Sequence, residues 1–249
     1  MRDDDRERTI RQKLSRMVDR PPAGGIATGF ASLDAALGGD GLPRGGIVEL
    51  FGPVACGKTT LAIQIVSGLQ QRGAAAAWVD AEHAFDPAYA ASLGLDLQHL
   101  PVVQPESAEQ ALDITRRLAA SGALDLVVID SAAALVPGLE LEAGIGGPGP
   151  GLQARVLASG LRKLSHTVVK TGACIVFLNQ TRMRRDGAGQ ERESSAGGAA
   201  LKLYASARIA LSRVTAGHIR FRVRKNKAAA AFGEGQLEWK PGQGFVECP

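Results

Sequence analysis

The octapeptide Gly52-Pro53-Val54-Ala55-Cys56-Gly57-Lys58-Thr59 constrains this chain more than any other stretch. It fits G-x-x-x-x-G-K-[ST], and it lies where that motif has physical meaning. The β-favouring run Ile47-Val48-Glu49-Leu50-Phe51 precedes it, and a helical pattern over 58–71, closed by Gly73, follows it. Glycines let the backbone wrap around phosphates with its N–H groups pointing inwards, and the helix N-terminus adds positive potential. Lys58 would reach the β- and γ-phosphates, and the Thr59 hydroxyl, with Thr60 behind it, would face the nucleotide and ligate Mg²⁺. A phosphate-bearing nucleotide with Mg²⁺ is therefore the expected ligand. Cys56 reads as a space-filling residue of the loop, with an oxidation-sensitive point as the alternative.

The rest of the chain supplies the sheet such a loop needs. Short β-like runs at 77–80, 102–103, 126–130 and 174–179 alternate with helical patterns at 107–120 and 152–169. The run Leu126-Val127-Val128-Ile129 is apolar on both faces, as a central parallel strand must be. Ile219-Arg220-Phe221-Arg222-Val223-Arg224 alternates strictly instead, as an antiparallel strand with one wet face would. The expected class is α/β: a mostly parallel central sheet with helices on both faces and antiparallel strands on the C-terminal side. Residues 1–20 read as an amphipathic helix with Ile10, Leu14, Met17 and Val18 on one face, too short to stand alone, so that face must bury against its own domain or, as an oligomerisation element, against a neighbour. Residues 21–27 read as a linker and 28–249 as the core domain.

Composition excludes several other classes. Apolar content of 45% and interspersed charges argue against disorder. No apolar run reaches the roughly 18 residues of a membrane span, and the charged start shows no secretory signal. Cys56, Cys174 and Cys248 have no metal-ligand spacing, so a reduced, cytoplasmic protein is expected. Net charge is only +4, yet eight basic and two acidic residues occur between Arg208 and Lys240. Such a stretch could meet a polyanion or form a solvated face.

Three further strand ends carry chemistry. Asp130 closes the 126–130 run, where a carboxylate points into the ligand crevice of a parallel sheet and could hold Mg²⁺. Asp80-Ala81-Glu82-His83 follows the 77–80 run. Glu82 is the candidate base for a hydrolytic water, Asp80 reads as structural, and His83 as a packing residue. Gln180, after the 174–179 run, could sense the γ-phosphate.

In order and wording these motifs resemble the bacterial RecA recombinase family. The resemblance runs from about residue 26 to 232. It is carried by Thr28-Gly29, Gly41-Leu42-Pro43, the phosphate loop, Asp80-Ala81-Glu82-His83-Ala84, Asp86-Pro87 with Tyr89, Ile129-Asp130-Ser131, Asn179-Gln180, Gly197-Gly198, Leu201-Lys202 with Tyr204-Ala205-Ser206, and Lys225-Asn226-Lys227. It implies an ATPase core that assembles head-to-tail on single-stranded DNA in recombinational repair and the damage response. On that basis Lys58 and Thr59 hold nucleotide and metal, Glu82 activates water, and Asp86 and Tyr89 contact adenine. Asp130 completes the acidic set and Gln180 senses γ-phosphate. Lys225 and Lys227 complete a neighbour's ATP site. Loops at 142–152 and 181–198 face DNA, with Arg155, Arg162, Arg182, Arg184, Arg185, Arg192, Gly197 and Gly198 as the contacting residues.

The departures open two other readings. Gly189 stands where the family has a large aromatic, the Ile145–Pro150 loop is stripped of bulk, and the chain stops at Pro249, short of the family's C-terminal domain. A RecA paralogue of the ImuA type, accessory to a polymerase or recombinase and without strand exchange, fits these losses. A phosphate-loop regulatory ATPase that never touches DNA is the third reading.

Overall fold

A computed structural model describes residues 24–143, 151–185, 191–195 and 197–248, with 182–195 as backbone alone. The expected N-terminal helix and most of the first DNA-facing loop lie outside the described residues.

Chain order begins with β1 (Gly25–Ile26), α1 (Ala31–Ala36), β2 (Leu42–Pro43), β3 (Ile47–Gly52), α2 (Lys58–Gln71) and β4 (Ala76–Asp80). It continues through α3 (Pro87–Ser92), β5 (Val102–Val103), α4 (Ala108–Ala120), β6 (Leu126–Asp130), α5 (Gly138–Glu142) and α6 (Leu152–Thr171). The last elements are β7 (Cys174–Arg185), β8 (Glu191–Ser195), α7 (Ala200–Tyr204), β9 (Ala207–Arg213), β10 (His218–Asn226), β11 (Glu234–Lys240) and β12 (Gly244–Glu247). Gly25–Ile26, inside the stretch read as a linker, pairs antiparallel with Leu42–Pro43.

The main sheet runs β12-β11-β10-β9-β3-β7-β6-β4-β5. Strands β9, β3, β7, β6, β4 and β5 pair in parallel, and β10, β11 and β12 are added antiparallel beyond β9. Apolar alternation splits the core between the two faces. Leu126 and Val128 of β6 pack with Leu61, Val66 and Leu69 of α2, whereas Val127 and Ile129 pack with Ala111 of α4 and Leu161 and Leu164 of α6. Each such buried Leu, Val or Ile contributes about 1.5–3 kcal/mol relative to exposure, and this layering is what orders the strand ends.

Local chemistry closes the elements. The Ser107 hydroxyl caps α4 by accepting from Gln110 N, and Gly172, at φ +78°, ends α6 in the left-handed region. In β10, Ile219, Phe221 and Val223 are buried and Arg220 and Arg224 exposed, as the alternation requires. The described structure thus has the α/β architecture expected, with helices on both sheet faces and antiparallel strands at the C-terminal side. Among the described residues no helix is long and apolar enough to cross a membrane.

The largest boundary difference is in β7. The apolar run at 174–179 predicts a strand ending there, but β7 continues to Arg185. Its second half leaves the main sheet and pairs with β8, from Thr181 opposite Ser195 to Arg185 opposite Glu191. Apolar periodicity cannot show this, because Thr181-Arg182-Met183-Arg184-Arg185 is mostly polar in sequence and strand pairing uses backbone groups that every residue supplies.

Candidate nucleotide-binding site

Parallel pairing brings the C-terminal ends of β3, β7, β6 and β4 side by side, in that order. Gly52, the first residue of the phosphate loop, pairs with Gln180, and Asp80 pairs with Asp130. Four residues spread over more than a hundred positions therefore share one sheet edge.

The loop itself turns on Gly57, at φ +89°. A β-carbon there would lie 2.4 Å from the Phe245 ring, so only glycine serves both the turn and the packing. Ala55 also adopts a left-handed conformation, at φ +58°. The Arg213 guanidinium donates to its carbonyl at 2.6 Å, tying the loop to β9. Lys58 is 8% exposed, and its ammonium donates to the carbonyls of Pro53 at 2.7 Å and Gly52 at 3.2 Å. Beside it lies a cavity of about 450 Å³ lined by residues 55–60, Arg213, His218, Trp239 and Phe245. Cys56 is 2% exposed, and burial pushes its thiol above the ordinary range against the pull of Lys58. It fills the loop interior.

The Thr59 hydroxyl donates to Asp130 Oδ2 at 3.0 Å. Burial, together with the carboxylates of Glu82 and Asp80, pushes Asp130 up to about 6, although Thr59 and Lys58 pull the other way. Acidic charge at this edge is thus under-compensated, and a divalent cation beside Thr59 and Asp130 would offset it. The donor set fits Mg²⁺ bound with a nucleotide.

Asp80 is 1% exposed and accepts from Ala84 N and Phe85 N at 3.1 Å and from Gln104 Nε2 at 2.9 Å, so its carboxylate organises the turn after β4. That turn presents Glu82, whose Oε1 accepts from Gln180 Nε2 at 3.2 Å and from the Ser131 hydroxyl. His83 is exposed, at φ +54°, with a ring nitrogen 3.2 Å from Pro105 O. The Asp86 carboxylate caps α3 through Ala88 N at 2.9 Å and Tyr89 N at 3.0 Å, and the Tyr89 hydroxyl meets Thr60 Oγ1 at 2.8 Å.

Other expected site residues stand away from this edge. Lys225 donates to Lys202 O at 2.7 Å and Leu203 O at 3.0 Å, capping α7 of its own chain. Burial, Lys227 and Arg208 lower its proton affinity. Lys227 is exposed. Arg155 and Arg162 are exposed on α6. Gly197 and Gly198 take φ +76° and +73°, and a β-carbon on Gly197 would sit 2.7 Å from Leu157, so the chain leaving β8 can pass close to α6. In the β7–β8 ladder Arg182 lies opposite Ser194, Arg184 opposite Arg192 and Arg185 opposite Glu191.

Sequence reasoning did not assign Glu49, Arg208, Arg213 or Ser131. Glu49 is fully buried in β3, accepting from Asn179 Nδ2 at 2.8 Å and from Arg208 Nε at 2.5 Å. The Arg208 guanidinium stacks 4.3 Å over the Phe51 ring. A glutamate inside an otherwise apolar strand was the available signal.

Comparison with known proteins agrees with this geometry. Residues 13–246 match the RecA N-terminal domain family. The chain is 45% identical to the RecA proteins of Rhizobium rhizogenes, Rhizobium leguminosarum and Agrobacterium fabrum over 228 residues, 88% of its own length. It spans 63% of the length of these relatives. A family match over most of the chain, on a sheet whose strand ends gather a phosphate loop, two acidic residues and a glutamine, makes this chain a member of the RecA family.

Proposed function

We propose that the chain binds and hydrolyses Mg-ATP at residues 52–60 and uses the state of the nucleotide to control its hold on single-stranded DNA in recombinational repair. The observation that carries this reading is the Gln180–Glu82 contact. Gln180 is the last β7 residue paired with β3, and the β7–β8 hairpin begins at Thr181. A γ-phosphate arriving beside Lys58 would compete for the Gln180 amide, so the hairpin is anchored to a group that reads phosphate.

In this reading Lys58 holds the β- and γ-phosphates, while Thr59 and Asp130 hold Mg²⁺, which supplies charge neutralisation at the transferred phosphoryl group. Glu82 takes the proton of the attacking water, and Asp86 and Tyr89 border the adenine. Protomers associate head-to-tail, with Lys225 and Lys227 turned towards a neighbour's phosphates. Arg182, Arg184, Arg185 and Arg192 contact DNA phosphates, with Arg155, Arg162 and the Gly197-Gly198 turn alongside.

Fluorescence anisotropy of labelled oligo(dT) with ATP, ADP and a non-hydrolysable ATP analogue tests the reading. Binding should be tighter with the triphosphate and should weaken with salt, at about 0.7 decade per decade of salt for each phosphate contacted. Identical binding in all three nucleotide states would overturn it. Lys58→Ala should abolish nucleotide binding, while Glu82→Gln should retain binding and slow hydrolysis by about 100-fold or more.

Gly189, in place of the family's aromatic, favours a second reading: an accessory RecA paralogue that binds DNA phosphates without splaying bases. Strand exchange between homologous DNAs by this chain would exclude it.

A further inference from the structure

Ser131 stands at the N-cap of the short 3₁₀ turn Ala132–Ala134, where a serine hydroxyl ordinarily accepts from a backbone amide of the turn it opens. It makes no such cap here. The hydroxyl, on a residue 1% exposed, instead donates to Glu82 Oε1. The preceding residue reinforces the link, since Asp130 O accepts from Ala81 N at 2.7 Å and Glu82 N at 3.0 Å. Backbone and side chain of the β4 turn are both clamped to two consecutive residues at the end of β6. One of these carries the metal-facing carboxylate and the other the hydroxyl.

Among the described residues, the side-chain hydrogen bonds to Glu82 come from Ser131 and Gln180 and fall on the same oxygen, leaving Oε2 to accept a proton. Of the two donors, Gln180 is the one a γ-phosphate would draw away, whereas Ser131 is buried and held by the clamp.

We propose that Ser131 is a positioning residue for hydrolysis, which keeps the Glu82 carboxylate aimed when Gln180 turns to the nucleotide. The inference rests on Glu82 being the base. Without the hydroxyl an exposed glutamate side chain would sample other rotamers, and the fraction of bound nucleotide facing a correctly placed base would fall.

The test is a double-mutant cycle on the full chain, with Mg-ATP and oligo(dT), read by single-turnover hydrolysis and by equilibrium binding of a fluorescent non-hydrolysable ATP analogue. Ser131→Ala should slow hydrolysis about tenfold, with the analogue's Kd changed by less than about twofold. Ser131→Thr, which keeps the hydroxyl, should recover most of the rate. In a Glu82→Gln background Ser131→Ala should have no further effect, because the group it positions is gone. Ser131→Cys, with only a weak donor, takes the place of Ser131→Ala should the alanine variant not fold. An equal loss in both backgrounds, or a weakened Kd in step with the rate, would assign Ser131 a structural role and overturn the proposal. So would an unaffected rate in Ser131→Ala while Glu82→Gln remains slow. Normal hydrolysis by Glu82→Gln would overturn the base assignment itself, a separate result.

Discussion

The hydroxyl of Thr59 and the carboxylate of Asp130 meet at 3.0 Å across 71 residues of sequence. The contact joins the first turn behind the phosphate loop to the end of the strand two places away in the sheet. It also sets the balance between stability and binding at this site.

Asp130→Asn should stabilise the nucleotide-free protein. The folded-state carboxyl sits at about 6 against an ordinary 3.8, because burial and two neighbouring carboxylates disfavour its charge. A raised acid costs nothing below its unfolded value and its full penalty above its folded one. Wild-type stability therefore falls relative to the variant between about pH 4 and 6 and runs parallel above. The expected gain at pH 7.5 is about 1–3 kcal/mol in urea unfolding with chelator present. Mg-ATP binding should weaken in the same variant. Equal stability of the two proteins at pH 7.5 would contradict the electrostatic account.

Arg208→Met should be among the most damaging changes outside the loop. It strands the Glu49 carboxylate, fully buried between β9 and β7, with Asn179 but without its cation. Loss of one partner of a buried pair costs about 3–5 kcal/mol, and replacing both restores most of it. Urea titrations of Arg208→Met and of Arg208→Met/Glu49→Met should show that order. A double variant no more stable than the single would exclude the stranded charge as the cause.

Gly57→Ala should abolish nucleotide binding and lower stability by about 1–3 kcal/mol. It combines a left-handed backbone angle with a methyl group 2.4 Å from the Phe245 ring. Adding Phe245→Ala removes the collision but leaves the backbone penalty of about 1–2 kcal/mol, so binding should not return. Thermal unfolding and titration with a fluorescent nucleotide measure the two effects separately.

Lys225→Ala should separate a role within the protomer from one across an interface. Loss of the α7 cap costs little, about 0.3–1 kcal/mol for a cation at a helix C-terminus. If Lys225 also serves a neighbour's phosphates, hydrolysis should fall at least tenfold with nucleotide affinity kept. Mixing Lys225→Ala with Glu82→Gln protomers should then restore part of the activity, since some interfaces would pair an intact lysine with an intact glutamate. No recovery at any mixing ratio would count against the trans assignment.

The parts legible in the sequence were those whose cause is local. The run at 47–51 had to be a strand, the apolar run at 126–129 a central one, and 58–71 a helix closed at Gly73, because burial and turn chemistry act within a few residues. The turn between β3 and α2 was legible for the same reason, since residues 52–59 form one contiguous stretch. The ladder that extends β7 to Arg185 was not legible, because polar strands pair through backbone groups that carry no residue signature.

Neighbours along the chain thus settle the class of fold, the glycine-rich turn between β3 and α2, and the polar residues that follow the apolar runs. Whom those residues meet is set by the assembled fold. It put the hydroxyl of Ser131 on Glu82 instead of on its own turn, Lys225 on the carbonyls of α7, and Arg208 against a glutamate buried 159 positions away. A hydroxyl, an ammonium or a guanidinium will satisfy any acceptor within reach. Which acceptor that is depends on strand order and register, and these are set by packing the whole sheet between its helices.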